Sequence, residues 1–501
     1  MRRCVFAVFC VLCASPVFGA DPDPIANLKN KVVERRLANG LRLLVVERHT
    51  APLVSFQMLF RVGGVDEEPG RTGLAHLFEH MLFKGSQTVG TKDFSKEKTL
   101  IDKLDLADKR IRGEESKGPK ADPETLKKLR EDMKSLEEEQ ARLIIPAEFD
   151  EIYQRNGARG LNAFTGRDMT GFVVSLPSNR WELWPILESD RMKRPVLREF
   201  YKERDVVMEE RRMRYEDHPR GKIWEEFLAH AFIAHPYRLP TIGWMSDVRN
   251  LTRPDAVKFY ESHYVPGNAV LAVVGDVDGG EVGDKLERYF AGIPSGEIPK
   301  PSAGVEPKPS GERRVLIDFD AEPTLLLGYH KPNQPHPDDT VFSVIEQILS
   351  RGRTSRFNRN IVDKKLAVSA WASNGVPGER YPNLIVFGGS PRNPHGNREL
   401  EGAIISELEK LAQEPVSPRE IEKVANGLES DFIRLLASNE GLASQLSYAE
   451  AVLGNWREPF EFLERARKVT PEDVRRVARE YFKRSNLTSA WLERAAGKGK
   501  P

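Results

Sequence analysis

Residues 251–275 read LTRPDAVKFYESHYVPGNAVLAVVG, and residues 469–493 read VTPEDVRRVAREYFKRSNLTSAWLE. Aligned without a gap, Thr252, Asp255, Tyr264 and Asn268 fall on Thr470, Asp473, Phe482 and Asn486. Each copy reads as a capped helix, a turn and a strand. A shared helix start followed by a shared strand exit points to duplicated halves. The length agrees, since 501 residues at 40% hydrophobic are too many for one ordinary core and suit two domains of roughly 200 residues or more.

Outward from these copies, the chain alternates β-rich runs such as LRLLVVERH (41–49) and PLVSFQMLFRVGG (52–64) with helical patterns, which predicts sheets covered by helices. Residues 295–314, SGEIPKPSAGVEPKPSGERR, are rich in Pro, Gly and Ser and read as a linker, after which strands resume at VLIDFD. The expected fold class is α+β, with two homologous domains, 20–294 and 315–495, each a mostly antiparallel sheet packed against helices, and a flexible tail at 496–501. A segment dominated by Lys and Glu, 96–148, interrupts the first domain. Its Leu126, Leu129, Met133 and Leu136 form a stripe with helical spacing, so it reads as an inserted helical hairpin whose role is that of a solvated spacer.

The first residues, MRRCVFAVFCVLCASPVFGADPDP, have a basic start, a short apolar core and small residues after it, the pattern of a secretory signal peptide cleaved after Gly19. Cys4, Cys10 and Cys13 all fall within it, so the mature chain is expected to use neither disulfides nor thiolate ligands. Export without disulfides fits a periplasmic or secreted protein. The net charge is +1, and loss of Arg2 and Arg3 would make it slightly negative, so no basic field invites nucleic acid. No later segment reads as a membrane span.

Only ten histidines occur in the chain, yet GLAHLFEHMLFKGS (73–86) places His76 and His80 one helical turn apart with Glu79 between them. At about 100° per residue the two imidazoles lie roughly 40° apart on one face and Glu79 about 60° to the other side of His76. That array can hold a divalent metal on two imidazoles with a carboxylate over its bound water. Burying three ionisable groups on an apolar helix without such a partner would be costly. An open zinc site wants one more protein ligand. KERDVVMEERRMRYE (202–216) offers Glu203, Glu209 and Glu210, and periodicity does not choose among them.

The ordered set GLAHLFEHMLFKGS, GLNAFTGRDMTGF, KERDVVMEERRM, HPYRLPTIG and HYVPGNAVLAVVGDVD resembles the inverzincin metallopeptidases, the pitrilysin and insulinase family, and in length its processing-peptidase branch. The resemblance covers nearly the whole mature chain apart from the charged insert. It implies a zinc endopeptidase that binds one Zn2+ per subunit on His76, His80 and Glu210, with Glu79 as general base and Glu203 as a supporting acid. It further implies that Asn162 and Ala163 pair with the backbone of an unstructured peptide substrate, and that Phe83 and Phe164 line an apolar side-chain pocket. The family's second domain supplies an arginine and, seven residues on, a tyrosine; here NIVDKKLAVSA puts Ile361 and Val368 at those places. Neither side chain donates a hydrogen bond, and Arg356, Arg359 and Tyr381 stand out of register as substitutes. The chain therefore looks like the metal-bearing partner of a heterodimer, the other subunit carrying the pair. A homodimeric enzyme and a non-catalytic assembly subunit are the alternatives.

Overall fold

The computed structural model describes residues 28–299 and 304–494; the expected signal peptide, the three cysteines and the tail lie outside them. Strands β1 (Val33–Arg36), β2 (Arg42–Glu47), β3 (Leu53–Phe60), β4 (Arg159–Thr165), β5 (Thr170–Pro177) and β6 (Ala269–Gly275) form one sheet in the order β1-β2-β6-β3-β5-β4. Strands β7 (Arg313–Asp318), β8 (Thr324–Lys331), β9 (Ala367–Val376), β10 (Asn383–Pro391) and β11 (Leu487–Glu493) form a second in the order β7-β11-β8-β10-β9. The sheets correspond strand for strand in order once β1 is set aside. In each, one pair is parallel, β2 with β6 and β7 with β11, and the other pairs are antiparallel. The protein is thus α+β, with two mostly antiparallel sheets.

The echoed segments occupy equivalent places. Thr252 and Asp255 form a capping box at the start of Arg253–His263, and Thr470 and Asp473 form one at the start of Pro471–Tyr481. Asn268 Nδ2 donates to the carbonyl of His263 at 2.9 Å, and Asn486 Nδ2 to that of Tyr481 at 2.9 Å. Each asparagine closes its helix and launches the matching strand, β6 or β11.

Each sheet buries one face under its own helices. The other face is covered by the opposite half: Leu44, Val46, Leu59, Val270, Ala272 and Val274 of the first sheet meet Phe432, Leu442, Leu446 and Phe460 from helices of the second. Conversely, Phe227, Leu228 and Ala231 of helix Pro219–Ala231 lie on Leu326, Leu384, Val386 and Ala490 of the second sheet. Residues 295–299 and 304–312 of the linker have no regular secondary structure, and its last two residues already belong to β7; it is tied down, because the Glu306 carboxylate accepts from the backbone N–H groups of Ile233, Ala234 and His235 at 2.9–3.0 Å.

The insert is a hairpin of helices Phe94–Glu115 and Pro123–Leu143. The stripe of Leu126, Leu129, Met133 and Leu136 is half-buried, as its spacing predicts. The first helix is more than a solvated spacer, since Leu104 joins the core cluster of the domain and buried Glu97 and Asp108 pair with Arg198 and Arg204. Among the described residues no helix is long and apolar enough to cross a membrane.

Candidate metal centre

The histidine helix, Leu74–Met81, begins at Gly73, whose φ of +95° and close approach to the Ile242 carbonyl leave no room for a Cβ, which would lie 2.7 Å from that oxygen. Glu67 caps the helix from outside, accepting from Gly73 N at 2.8 Å and Ala75 N at 2.7 Å. Leu74, Ala75, Leu77, Phe78 and Met81 are buried, and Phe78 packs on the rings of Tyr260 and Tyr264 at centroid distances of 5.5 and 5.0 Å. The helix is therefore held by its own first turn and by the capped helix Arg253–His263.

The opposing helix, Phe200–Arg211, is fixed in rotation by fully buried Val207 and by Arg211, which donates to the Gly243 carbonyl at 2.8 Å and pairs with Glu225 at 2.7 Å. That rotation separates the three glutamates. Glu210 meets both imidazoles, at 3.7 Å from His76 Nε2 and 3.3 Å from His80 Nε2. Glu203 Oε1 takes His80 Nδ1 at 3.0 Å, and its Oε2 takes Lys84 Nζ at 2.8 Å. Glu209 points to solvent and pairs with Arg212.

His76, His80 and Glu210 each offer one ligand atom, all within 4.8 Å of one another. Two imidazoles and one carboxylate suit zinc and leave it an open position. Burial drives His76 down to about 4, so it is neutral and ready to donate a lone pair. Burial also opposes a proton on His80, but hydrogen bonds to Glu203 and Glu210 outweigh it and lift the group to about 9. Burial alone would raise Glu203, yet the bonds from His80 and Lys84 hold it down at about 2. The carboxylate–imidazole bond fixes the His80 tautomer and directs Nε2 at the site. Glu203, the supporting acid that the resemblance implies, thus stands behind His80 and outside the group of three that converges on one point. Glu79 is half-buried beside them and has no hydrogen-bond or ion-pair partner among the described residues.

Strand β4 is the edge of the first sheet and touches the histidine helix, with Thr165 Oγ1 donating to the Ala75 carbonyl at 3.4 Å. Asn162 is exposed on it; Ala163 is buried against the cluster that includes the histidine helix. Phe83 packs against that same cluster, whereas Phe164 packs on the sheet's other face with Leu59 and Met169. Strand alternation puts Ala163 and Phe164 on opposite faces of β4, so Phe164 and Phe83 pack in different clusters.

In the second half, Ile361 is buried in the core and Val368 is exposed on the edge strand β9. Arg356 is engaged with Glu420 at 2.9 Å, and Arg359 is exposed. The Tyr381 ring is wedged against His235 and Tyr237 in the seam between the halves, beside Arg380, which pairs with Asp66 at 2.7 Å. Sequence reasoning missed Glu67, Lys84 and Arg214, the last pairing with Glu210 at 2.8 Å. Only Lys84, one helical turn beyond His80, carried a local signal.

A family profile described as Insulinase (Peptidase family M16) matches residues 42–101, and one described as Peptidase M16 inactive domain matches residues 250–428. The zinc protease PqqE of Helicobacter pylori is 28% identical over 470 residues, 91% of this chain and 91% of that protein. The crystal structure of a protease from Helicobacter pylori aligns with a TM-score of 0.77 at 26% identity, covering 92% of this chain and 99% of that one. The periplasmic protease PqqL from Escherichia coli aligns with a TM-score of 0.68 at 17% identity, covering 92% of this chain but 47% of that one.

Proposed function

The chain belongs to the insulinase family, peptidase family M16, and from that premise we propose that it is a zinc-dependent endopeptidase acting on unstructured peptides. The observation that carries the proposal is the convergence of His76, His80 and Glu210 to within 4.8 Å, at the foot of an open sheet edge. Zinc held there would polarise the scissile carbonyl and acidify a water. Glu79 takes the proton of the attacking water and returns it to the leaving amine, for which a carboxylate without a competing partner is suited. Glu203 keeps His80 in register. Asn162 and Ala163 on β4 accept an extended peptide backbone, which selects unfolded chains.

The chain acts as the metal-bearing subunit of a pair. This is supported by Ile361 and Val368, which give the second half no donor at the family's positions, and by the alignment to about half of PqqL, whose single chain has room for a second such unit. Export to the periplasm is supported by the N-terminal pattern and by the described location of PqqL.

The test is metal content and peptide hydrolysis of the mature chain with two variants. Glu79→Gln is expected to keep one zinc and lose turnover by ~10² or more. His80→Ala is expected to lose the metal. A homologous subunit carrying the arginine and tyrosine should raise the activity of the unmodified chain by ~10² to 10³. Hydrolysis by metal-free Glu79→Gln protein would overturn the peptidase reading, and a zinc-loaded chain inert with every partner would favour the assembly role.

A further inference from the structure

We propose that the charged hairpin holds the carboxylate helix, Phe200–Arg211, at its working distance from the histidine helix, with Arg198 as the pin; this rests on the metallopeptidase reading above. Arg198 is 1% exposed and stands two residues before the helix. Its guanidinium pairs with fully buried Glu97 of the hairpin at 2.9 Å. It also donates to the carbonyls of Ser86 at 2.6 Å, Val89 at 3.1 Å and Lys84, all in the turn that leaves the histidine helix. From the hairpin's second helix, Gln140 Nε2 donates to Glu97 at 3.3 Å. One buried pair therefore joins three elements: the insert, the end of one ligand helix and the start of the other.

A second set of contacts continues along the back of the carboxylate helix. Tyr201 Oη donates to Asp105 at 2.9 Å, and Arg204 donates to Asp108 at 3.1 Å and to the Leu251 carbonyl at 3.0 Å. Asp108 also holds Arg112, which reaches the Asn250 and Leu251 carbonyls at 2.6 and 2.7 Å. At roughly 100° per residue, Tyr201 lies nearly opposite Glu203 and Glu210, and Arg204 lies roughly 100° to 120° round the helix from them. The hairpin thus grips the back and one flank of the helix and leaves the ligand face clear.

Buried ion pairs are poor sources of net stability but severe to break, so what such a pair secures is position. Position is what the site needs. The two histidines share one short helix, while the third ligand arrives on another, and ligand sets tolerate displacements of only about 0.5 Å. Glu97, Asp105, Asp108, Tyr201, Arg198 and Arg204 are positioning residues, since none faces the site.

The experiment uses the full chain with zinc or Co2+ as probe. Tyr201→Phe combined with Asp108→Asn removes the hydroxyl bond to Asp105 and the charge that holds Arg204 and Arg112, and leaves both arginines their carbonyl acceptors, so the fold is retained. Glu97→Gln attacks the pin directly. Zinc affinity by chelator competition is expected to fall by ~10- to 100-fold in the double variant. The visible spectrum of the Co2+ form should change, and kcat should fall with KM nearly constant. The metal-free melting temperature, measured alongside, separates displacement from unfolding. Should Glu97→Gln fail to fold, the double variant decides. A folded double variant with the parent's zinc affinity and Co2+ spectrum overturns the hairpin's role and leaves the peptidase reading standing. A parent that binds no more zinc than His80→Ala overturns both.

Discussion

On the proposed zinc reading, the proton on His80 sets how the site takes up metal. Its two carboxylate partners lift it to about 9, so zinc must displace a proton over most of the neutral range. Affinity should then weaken by roughly tenfold for each pH unit below about 9 and level off above it, with one proton released per zinc at pH 7. Titration calorimetry in buffers of differing ionisation enthalpy measures both. The sign is opposite for the metal-free fold: a histidine raised above its free value of about 6.5 stabilises below that value and loses the contribution as pH rises through about 9. Glu203→Gln removes the negative charge at Nδ1 while leaving an acceptor there, and should move the levelling point to lower pH. The histidine pair was legible from its spacing alone. The choice among Glu203, Glu209 and Glu210 was not, because it depends on the rotation of their helix, which is set by Val207 and by Arg211 reaching Gly243 and Glu225.

The histidine helix has only eight residues, and so short a helix depends on its ends. Glu67 satisfies two N–H groups at its start from within the protein, where burial pushes the carboxyl up to about 8 and the bonds from Ala75 and Gly73 pull it back. Glu67→Ala should therefore cost about 2 kcal/mol, read as a lowered denaturant midpoint at unchanged slope. Glu67 gave no sequence signal, since it lies six and eight residues from the groups it caps. The hairpin divides in the same way. Its half-buried leucine stripe could be read from spacing, whereas Glu97 and Asp108 look like ordinary surface charges until partners about a hundred residues away, Arg198 and Arg204, are brought beside them. Lys- and Glu-rich composition reports solvation on average and says nothing of a single acid paired across the fold.

For the molecule as a whole, the echo between residues 251–275 and 469–493 foretold two equivalent sheets, because capping boxes and strand exits are local in sequence. What covers each sheet is decided by contacts across the chain and left no such trace. The first sheet's outer face needs Phe432, Leu442 and Phe460, and the second needs Phe227 and Leu228. Residues 28–294 produced alone should expose that apolar face and aggregate, and co-production with 304–494 should restore a soluble complex, which size-exclusion chromatography and circular dichroism would check. Soluble, folded halves would refute this dependence. The reciprocal cover also bears on origin. A single half would carry an uncovered sheet, which a second copy of itself could cover in the same way. Joining two such halves in one polypeptide makes a concentration-dependent association intramolecular, and leaves one half free to differ at its surface while still serving as the other's wall.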